Sequence, residues 1–349
     1  MPVAVPLLSM TIAHGLHVAD RPLAVMIGNF DGVHRGHQAM AARTVAAARE
    51  RGLGAAALTF EPHPREFFQS ATAPARITPL REKLRLLMAL GLDRVHVARF
   101  TRAFAALTPE AFVDQVLIGT LRARWLMVGA DFCFGARRSG DVARLRALAS
   151  ERDVEVEVLE DVLEGTERIS SSVVRAALDA GDLDRAQVLL GRTFRISGRV
   201  VHGQKLGRTL GFPTANIQLK YNRPPVFGIF AVRVHGIGPL PLDAVASLGF
   251  RPTVTEERRA SLEVFVFDFA GDLYGRHLDI EFVAKLRDEE TYNGLDALKA
   301  AIARDCAHAL AILRAPGSAS PTDAAAPPLR AATAHAPPPG SSSPDIPHG

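Results

Sequence analysis

The spacing of apolar residues changes character once along this chain, and that change dictates two different architectures. Between Leu23 and Ala180, short apolar runs alternate with longer helical stretches. Strands are expected at Leu23–Ile27, Ala55–Phe60, Arg94–Val97, Trp125–Val128 and Val154–Leu159, with helices between them at Gln38–Arg51, Leu80–Leu90, Pro109–Ile118 and Asp141–Arg152. Strands joined through helices predict an α/β, doubly wound parallel sheet, whose ligands gather beyond the strand carboxyl ends. A helical connector, Leu183–Leu190, follows, with Gly191 placed to stop it. From Phe194 the runs become short, rich in Val, Ile and Phe, and broken by Gly and Pro, as in Gly228–Val234. Those runs predict an antiparallel β-barrel. It closes with an amphipathic C-terminal helix, Leu295–Leu313, whose Leu295, Leu298, Ile302 and Ala309 fall near one face. The expected units are therefore residues 1–185, residues 186–314 and a Pro/Ala/Ser-rich tail, 315–349, whose composition predicts disorder.

Composition narrows the function only a little. A chain of 349 residues, 48% hydrophobic, accommodates about two domains. The net charge of +4 comes from arginines spread along the chain, which suits anionic nucleotides as well as nucleic acid. With 6% aromatics and no interleaving of basic and aromatic residues, a nucleic-acid partner is not expected. Cys133 and Cys306 lie far apart and form no metal or redox spacing, which fits a reducing cytoplasm. No run approaches ~18 apolar residues, and the stretch with His14, His17, Asp20 and Arg21 lacks a leader pattern. A cytoplasmic monomer or weak homo-oligomer with no membrane partner is expected.

Two motifs carry the chemistry. The first, Gly28-Asn29-Phe30-Asp31-Gly32-Val33-His34-Arg35-Gly36-His37, sits where a strand gives way to an Ala-rich helix, and there backbone N–H groups and the helix dipole favour an anion. If the helix begins near Val33, His34 and His37 share one face of its first turn and both imidazoles reach the same phosphate. Taken alone, a His-x-x-His pair also fits solvent-facing or capping histidines, or a metal pair with Asp31 as the local carboxylate. Ser170, Ser171 and Ser172 precede a short helix, Val173–Ala180, so hydroxyls and N–H groups can converge with Arg175 on phosphate oxygens; an ordinary N-cap is the alternative.

The gap-free Gly-x-Phe-Asp-Gly-x-His-x-Gly-His is followed, in order, by Thr59-Phe60-Glu61-Pro62-His63-Pro64, Gly129-Ala130-Asp131-Phe132-Cys133-Phe134-Gly135 and Ile169-Ser170-Ser171-Ser172-Val173-Val174-Arg175. In these blocks the N-terminal half resembles the nucleotidylyltransferase superfamily, specifically the adenylyltransferase half of the bifunctional bacterial riboflavin kinase/FAD synthetases. The resemblance implies a Rossmann-like fold. It also implies ATP and phosphate contacts from Gly28, Phe30, Asp31, Ser171, Ser172 and Arg175, catalytic roles for His34 and His37, and flavin contacts from Pro62, Pro64, Asp131 and Phe132.

The second motif is Gly207-Arg208-Thr209-Leu210-Gly211-Phe212-Pro213-Thr214-Ala215-Asn216, preceded by the basic stretch Gly203–Leu206. Thr214 and Asn216 are two apart in an extended stretch, so their oxygens share a face, an arrangement Mg²⁺ and ATP phosphates could use; a plain strand edge is the alternative. Glu263 lies in the alternating run Leu262–Asp268 with Phe265 and Phe267 on its face and Leu262, Val264 and Val266 on the other. A carboxylate in such apolar company suits a general base, although a solvated Glu remains open. With Gly249-Phe250-Arg251-Pro252-Thr253-Val254, Asp268-Phe269 and Leu273-Tyr274-Gly275, this half resembles the riboflavin kinase module. By that resemblance Glu263 is the catalytic base, Thr214 and Asn216 hold Mg²⁺, Lys205 and Gly207 contact ATP, and Arg287 lies on the flavin side.

The expectation is a transferase acting on riboflavin, FMN and ATP, which makes FMN and then FAD with Mg²⁺. The alternatives are that one module alone is active, or that the protein is a non-catalytic flavin-binding regulator.

Overall fold

The structure, a computed structural model, describes residues 11–316 apart from 71, 204, 205, 222 and 252–258. Lys205, Pro252 to Val254 and the expected tail from 317 onward lie outside the described residues.

The first unit is a six-stranded parallel sheet built from β1 (Thr11–His14), β2 (Leu23–Ile27), β3 (Gly54–Glu61), β4 (Arg94–Arg99), β5 (Ala123–Gly129) and β6 (Glu155–Leu159), in the order β1-β4-β3-β2-β5-β6. The five expected strands are all present. The sixth, β1, pairs with β4 at the sheet edge and has alternately half-buried and exposed residues, too weak a pattern over four positions to announce itself. The direction of winding reverses between β2 and β5, and a doubly wound sheet opens its ligand crevice at such a point.

Helices α1 (Arg35–Arg51), α2 (Pro64–Phe68), α3 (Leu80–Ala89), α4 (Arg102–Ala105), α5 (Pro109–Ala111) and α6 (Val142–Ser150) cover the sheet. The small side chains of Ala55 and Ala57 on β3 let the Ala-rich α1 approach closely, and Met26, Leu87 and Trp125 fill the rest of that side. The helix expected at Pro109–Ile118 departs from the pattern: after the single turn of α5 it widens into a π-helix, Phe112–Thr120. The wider turn is closed by Leu121 N–H donating to Val116 O and by Thr120 Oγ1 donating to Gln115 O, while Phe112, Val113, Val116 and Leu117 all stay buried.

A small hairpin, β7 (Leu163–Glu164) and β8 (Glu167–Arg168), precedes α7 (Ser171–Ala180) and α8 (Leu183–Leu190). Gly181 (φ 76°) and Gly191 (φ 68°) end these helices in the left-handed conformation. The second unit follows: β9 (Arg195–Val201), the single turn α9 (Leu206–Thr209), β10 (Ala215–Gln218), β11 (Gly228–His235), β12 (Leu242–Arg251), β13 (Arg259–Val266) and β14 (His277–Arg287). The strands close an antiparallel barrel in the order β10-β13-β12-β11-β14-β9. Leu262, Val264 and Val266 join Ile196, Phe230 and Phe282 in its core, and that apolar cluster runs on without a break into Ala177, Leu178, Ala186 and Leu189 of α7 and α8. The expected boundary at 185/186 falls inside α8.

The closing helix, α10 (Leu295–Leu313), has the expected limits, and of its expected face Ile302 and Ala309 pack into the apolar cluster against the barrel. Leu295 is exposed, and the buried stripe is Ala301, Asp305, Cys306, Ala309 and Leu313. Within that buried stripe Asp305 takes the Arg287 guanidinium with both carboxylate oxygens, at 2.9 and 2.6 Å. Among the described residues no helix is long and apolar enough to cross a membrane.

Candidate active sites

The loop after β2 is folded by unusual backbone geometry. Phe30 (φ 50°) and Val33 (φ 41°) are both left-handed, a conformation that L side chains adopt only when their surroundings impose it. Asp31 does much of the imposing. Its carboxylate accepts from Ile77 N–H (3.1 Å), Thr78 N–H (3.0 Å) and Arg175 Nη2 (2.8 Å), and its carbonyl accepts from Ser171 Oγ (2.8 Å). Gly28 is required because a Cβ there would stand 2.8 Å from the Phe30 ring.

Left-handed Val33 delays the helix by two residues from the expected start, so α1 begins at Arg35 and His34 becomes its N-cap residue. The two imidazoles meet all the same, stacked with ring centroids 3.6 Å apart, and Phe30 supports His37 edge-on at 5.3 Å. Burial pushes the His34 pKa down to about 4; Asp31 opposes that shift, while Arg192, Arg168 and Arg175 add to it. His37 is held well below its ordinary value by burial, then by His34, Lys83 and Arg192. Both rings are therefore neutral near pH 7. The buried Nδ1 atoms of His34 and His37 and Oδ1 of Asn29 have no hydrogen-bond partner among the described residues, as expected of groups that complete their bonding on a ligand.

Several expected phosphate contacts have other occupations. The Phe30 side chain is wholly buried beneath His37, so the ATP contact expected of it cannot come from its ring. The Asp31 carboxylate, which would repel a phosphate, is committed to anchoring the loop. Arg175 divides its guanidinium between Asp31 and Ala75 O, the latter at 2.7 Å. Ser170 is the N-cap of α7, with Oγ accepting from Val173 N–H, which leaves exposed Ser172 to present a hydroxyl at the start of that helix.

On the expected flavin side, Pro62 and Pro64 flank His63, whose Nδ1 accepts from Arg65 N–H. Arg76 ties this turn down by bridging Glu61 (3.0 Å) and Glu66. Asp131 is exposed and pairs with Arg168 at 3.4 Å, and half-buried Phe132 stacks on Phe134 at 5.5 Å. Lys83 and Arg168 were not anticipated. Lys83 is 2% exposed, its Nζ lies 3.5 Å from Thr59 Oγ1, and burial lowers its pKa. One signal was available: Lys83 occupies the same buried stripe of α3 as Leu84, Leu87 and Met88.

The second constellation sits on the barrel. Asn216 of β10 pairs in register with Glu263 of β13, and Thr214 Oγ1 donates to Glu263 Oε2 at 3.1 Å. Asn216 is 7% exposed, and Gly203 makes room for it: a Cβ there would come within 2.3 Å of Asn216 Nδ2. Gly207 is hemmed in likewise, 2.3 Å from Phe212 O and 3.4 Å from Thr214 Oγ1. Thr214 also lines a cavity of about 380 Å³ whose wall includes Arg208, Val264, Phe269 and Tyr274. Alternation along β13 is as expected, with Glu263 and Phe265 half-buried and Leu262 and Val264 in the core. Arg287, expected beside the flavin, instead fastens α10 to the barrel through Asp305. Among the described residues no group of three or more His, Cys, Asp or Glu could hold a metal ion. The neutral oxygens of Thr214 and Asn216 suit a cation such as Mg²⁺, which keeps several waters and shares substrate phosphates.

Two family profiles match the chain: FAD synthetase over residues 17–173 and riboflavin kinase over residues 190–313. The chain is 48% identical over 293 residues to the bifunctional riboflavin kinase/FMN adenylyltransferase of Escherichia coli (strain K12), covering 84% of this chain and 93% of the relative. The protein of that description from Pseudomonas fluorescens is 46% identical, with 86% and 96% covered, and that from Bacillus subtilis (strain 168) is 37% identical, with 85% and 94% covered. Among solved structures, a Streptococcus pneumoniae chain described as a macrolide-efflux protein superposes with a TM-score of 0.71 at 29% identity, covering 85% of this chain and 97% of that one.

Proposed function

The chain belongs to the bifunctional riboflavin kinase/FMN adenylyltransferase family, and from that premise we propose how its two constellations divide the work. The protein phosphorylates riboflavin to FMN with one ATP and converts FMN to FAD with a second. In the first step Glu263 accepts the proton of the ribityl 5′-hydroxyl as that oxygen bonds to the γ-phosphorus and ADP leaves. The Thr214 hydroxyl, bonded to Glu263, orients the carboxylate. Mg²⁺ held by Thr214 and Asn216 would neutralise charge on the triphosphate, and Lys205 and Gly207 belong to the ATP side of the same site.

In the second step an FMN phosphate oxygen attacks the α-phosphorus of ATP and pyrophosphate departs. His34 and His37, as neutral N–H donors, and Ser172 at the start of α7 stabilise the charge that builds on the α-phosphate and the leaving group. Ser171, Asp31 and Arg175 hold the loop in place, and the isoalloxazine lies toward Pro62, Pro64, Asp131 and Phe132. The partners are riboflavin, FMN and ATP; a cytoplasmic, monomeric or weakly associated state without nucleic acid is part of the same proposal.

The observation that carries this division is spatial: the stacked imidazoles belong to the sheet unit, whereas the Thr214–Glu263 pair belongs to the barrel. The test is to incubate the protein with riboflavin, ATP and Mg²⁺ and follow flavins by chromatography. Glu263→Ala should stop FMN formation and still convert supplied FMN. His37→Ala should accumulate FMN, with FAD formation slowed by roughly 10² or more. A folded variant of either kind that lost both steps would refute separate sites.

A further inference from the structure

Arg192 lies in the joint between the two units, immediately after the Gly191 stop of α8 and before β9. Its side chain turns back into the sheet unit. Nη2 donates to Gly32 O at 2.8 Å, and Nη1 lies 3.4 Å from Val33 O and 3.3 Å from Leu190 O. Gln38 of α1 completes the clamp, with Nε2 donating to Val33 O at 3.0 Å and to Leu190 O at 2.7 Å. The carbonyls of Gly32 and Val33 are thus gripped from the joint. They directly precede His34, and Val33 is a β-branched residue at φ 41°, a conformation costing about 1–3 kcal/mol that its surroundings must sustain.

We propose that Arg192 is a positioning residue for adenylyl transfer: by holding the Gly32 and Val33 carbonyls it fixes the His34 N-cap and the stacked imidazole pair, so that FAD formation depends on the joint to the barrel. The guanidinium also faces the rings electrically. His34 is faced by Asp31, which favours its protonation, and by Arg192, Arg168 and Arg175, which oppose it; His37 is faced by His34, Lys83 and Arg192. Removing the Arg192 charge therefore lets the imidazoles take up protons at higher pH, and the acid limb of FAD formation moves upward. A side chain that merely stabilised the fold would not move that limb.

The inference rests on the assignment of His34 and His37 to the second step, and its test separates the two. In the full-length chain, Arg192→Met should lower kcat for FMN to FAD by about 30-fold or more, the scale on which small misplacements of reacting groups act. KM for FMN should stay within about threefold and riboflavin phosphorylation within about twofold. The acid limb should move to higher pH. Gln38→Leu breaks the clamp but keeps the charge, so kcat should fall with the limb unmoved. If His37→Ala impairs FAD formation while Arg192→Met leaves kcat within about threefold and the limb in place, the positioning role is wrong and the assignment stands. If His37→Ala leaves FAD formation intact, the assignment itself fails. Parallel loss of both activities together with a lowered melting temperature would mark Arg192 as structural only. Should Arg192→Met not fold, Arg192→Lys and Gln38→Leu decide: parental kcat in both overturns the proposal.

Discussion

His96 offers a test of the sheet unit that touches neither reaction. It lies on β4, between Ala13 of β1 and Leu58 of β3, and is fully buried, with no hydrogen-bond partner for either ring nitrogen among the described residues. Burial, assisted by Arg94 and His17, lowers its pKa from 6.5 to about 4. A group whose folded pKa is depressed is protonated first in the unfolded chain, so stability falls as the pH drops from about 6.5 toward 4. The full difference is worth at most about 3 kcal/mol, and about 2 kcal/mol of it has been lost by pH 5. His96→Leu removes that share. At pH 8 the variant should match the parent or exceed it by about 1 kcal/mol, because two buried ring nitrogens no longer go unbonded. At pH 5, with the gap at about 2–3 kcal/mol, it should melt about 4–12 °C above the parent, at 2–4 °C per kcal/mol for a unit of this size. His34, His37 and His63, also depressed by burial, keep their own shares in both proteins, so each melting curve still slopes to acid, the parent's more steeply. Melting temperatures of parent and variant from pH 8 to pH 5 decide the matter. Equal slopes would refute the claim that His96 is held neutral by burial.

Two further outcomes concern the barrel. Gly203→Ala should push Asn216 aside and raise the Mg²⁺ concentration needed for riboflavin phosphorylation about 10- to 100-fold, leaving FMN adenylylation untouched; a Mg²⁺ titration of each step checks it. Asp305→Ala leaves a largely buried Arg287 without its bidentate partner and should cost about 2 kcal/mol in denaturant unfolding, with a double-mutant cycle to Arg287→Ala returning a coupling of similar size.

How far the fold was legible follows from where the signals reside. The rhythm of apolar runs located β2, β3, β4, β5 and β6 and α10 because those elements bury several residues each at a regular period. Four-residue β1 and the π-helix at Phe112–Thr120 escaped, since one depends on an edge pairing and the other on wider backbone bonding that leaves the buried positions in place. At the sites, spacing brought together residues that meet within one loop or across one register: His34 with His37, and Thr214 and Asn216 with Glu263. It could not show which polar side chains are consumed by the scaffold. Asp31, Arg175 and Arg287 each carry a charge that sequence spacing reads as available, yet each is spent on a partner far away in the chain. Lys83 and Arg192 escaped for the converse reason, since only the tertiary fold carries them to the imidazoles.

That distribution of charge sets the chemistry of the imidazole site. Around His34 and His37 stand Lys83, Arg168, Arg175 and Arg192, balanced nearby chiefly by Asp31. Burial, reinforced by these cations, keeps the imidazoles neutral, and on the proposed assignment a neutral N–H donor can follow charge onto a departing pyrophosphate without adding a titrating group at pH 7. The phosphate supplies the negative charge the crevice lacks, so substrate binding relieves the mutual repulsion of the cations and is favoured by it. The barrel site has the reverse need. On the proposed assignment an alcohol must lose its proton there, and the Glu263 carboxylate that would take it accepts a hydrogen bond from Thr214 Oγ1 and pairs in register with Asn216. One chain can run both reactions because the sheet and the barrel keep these environments apart.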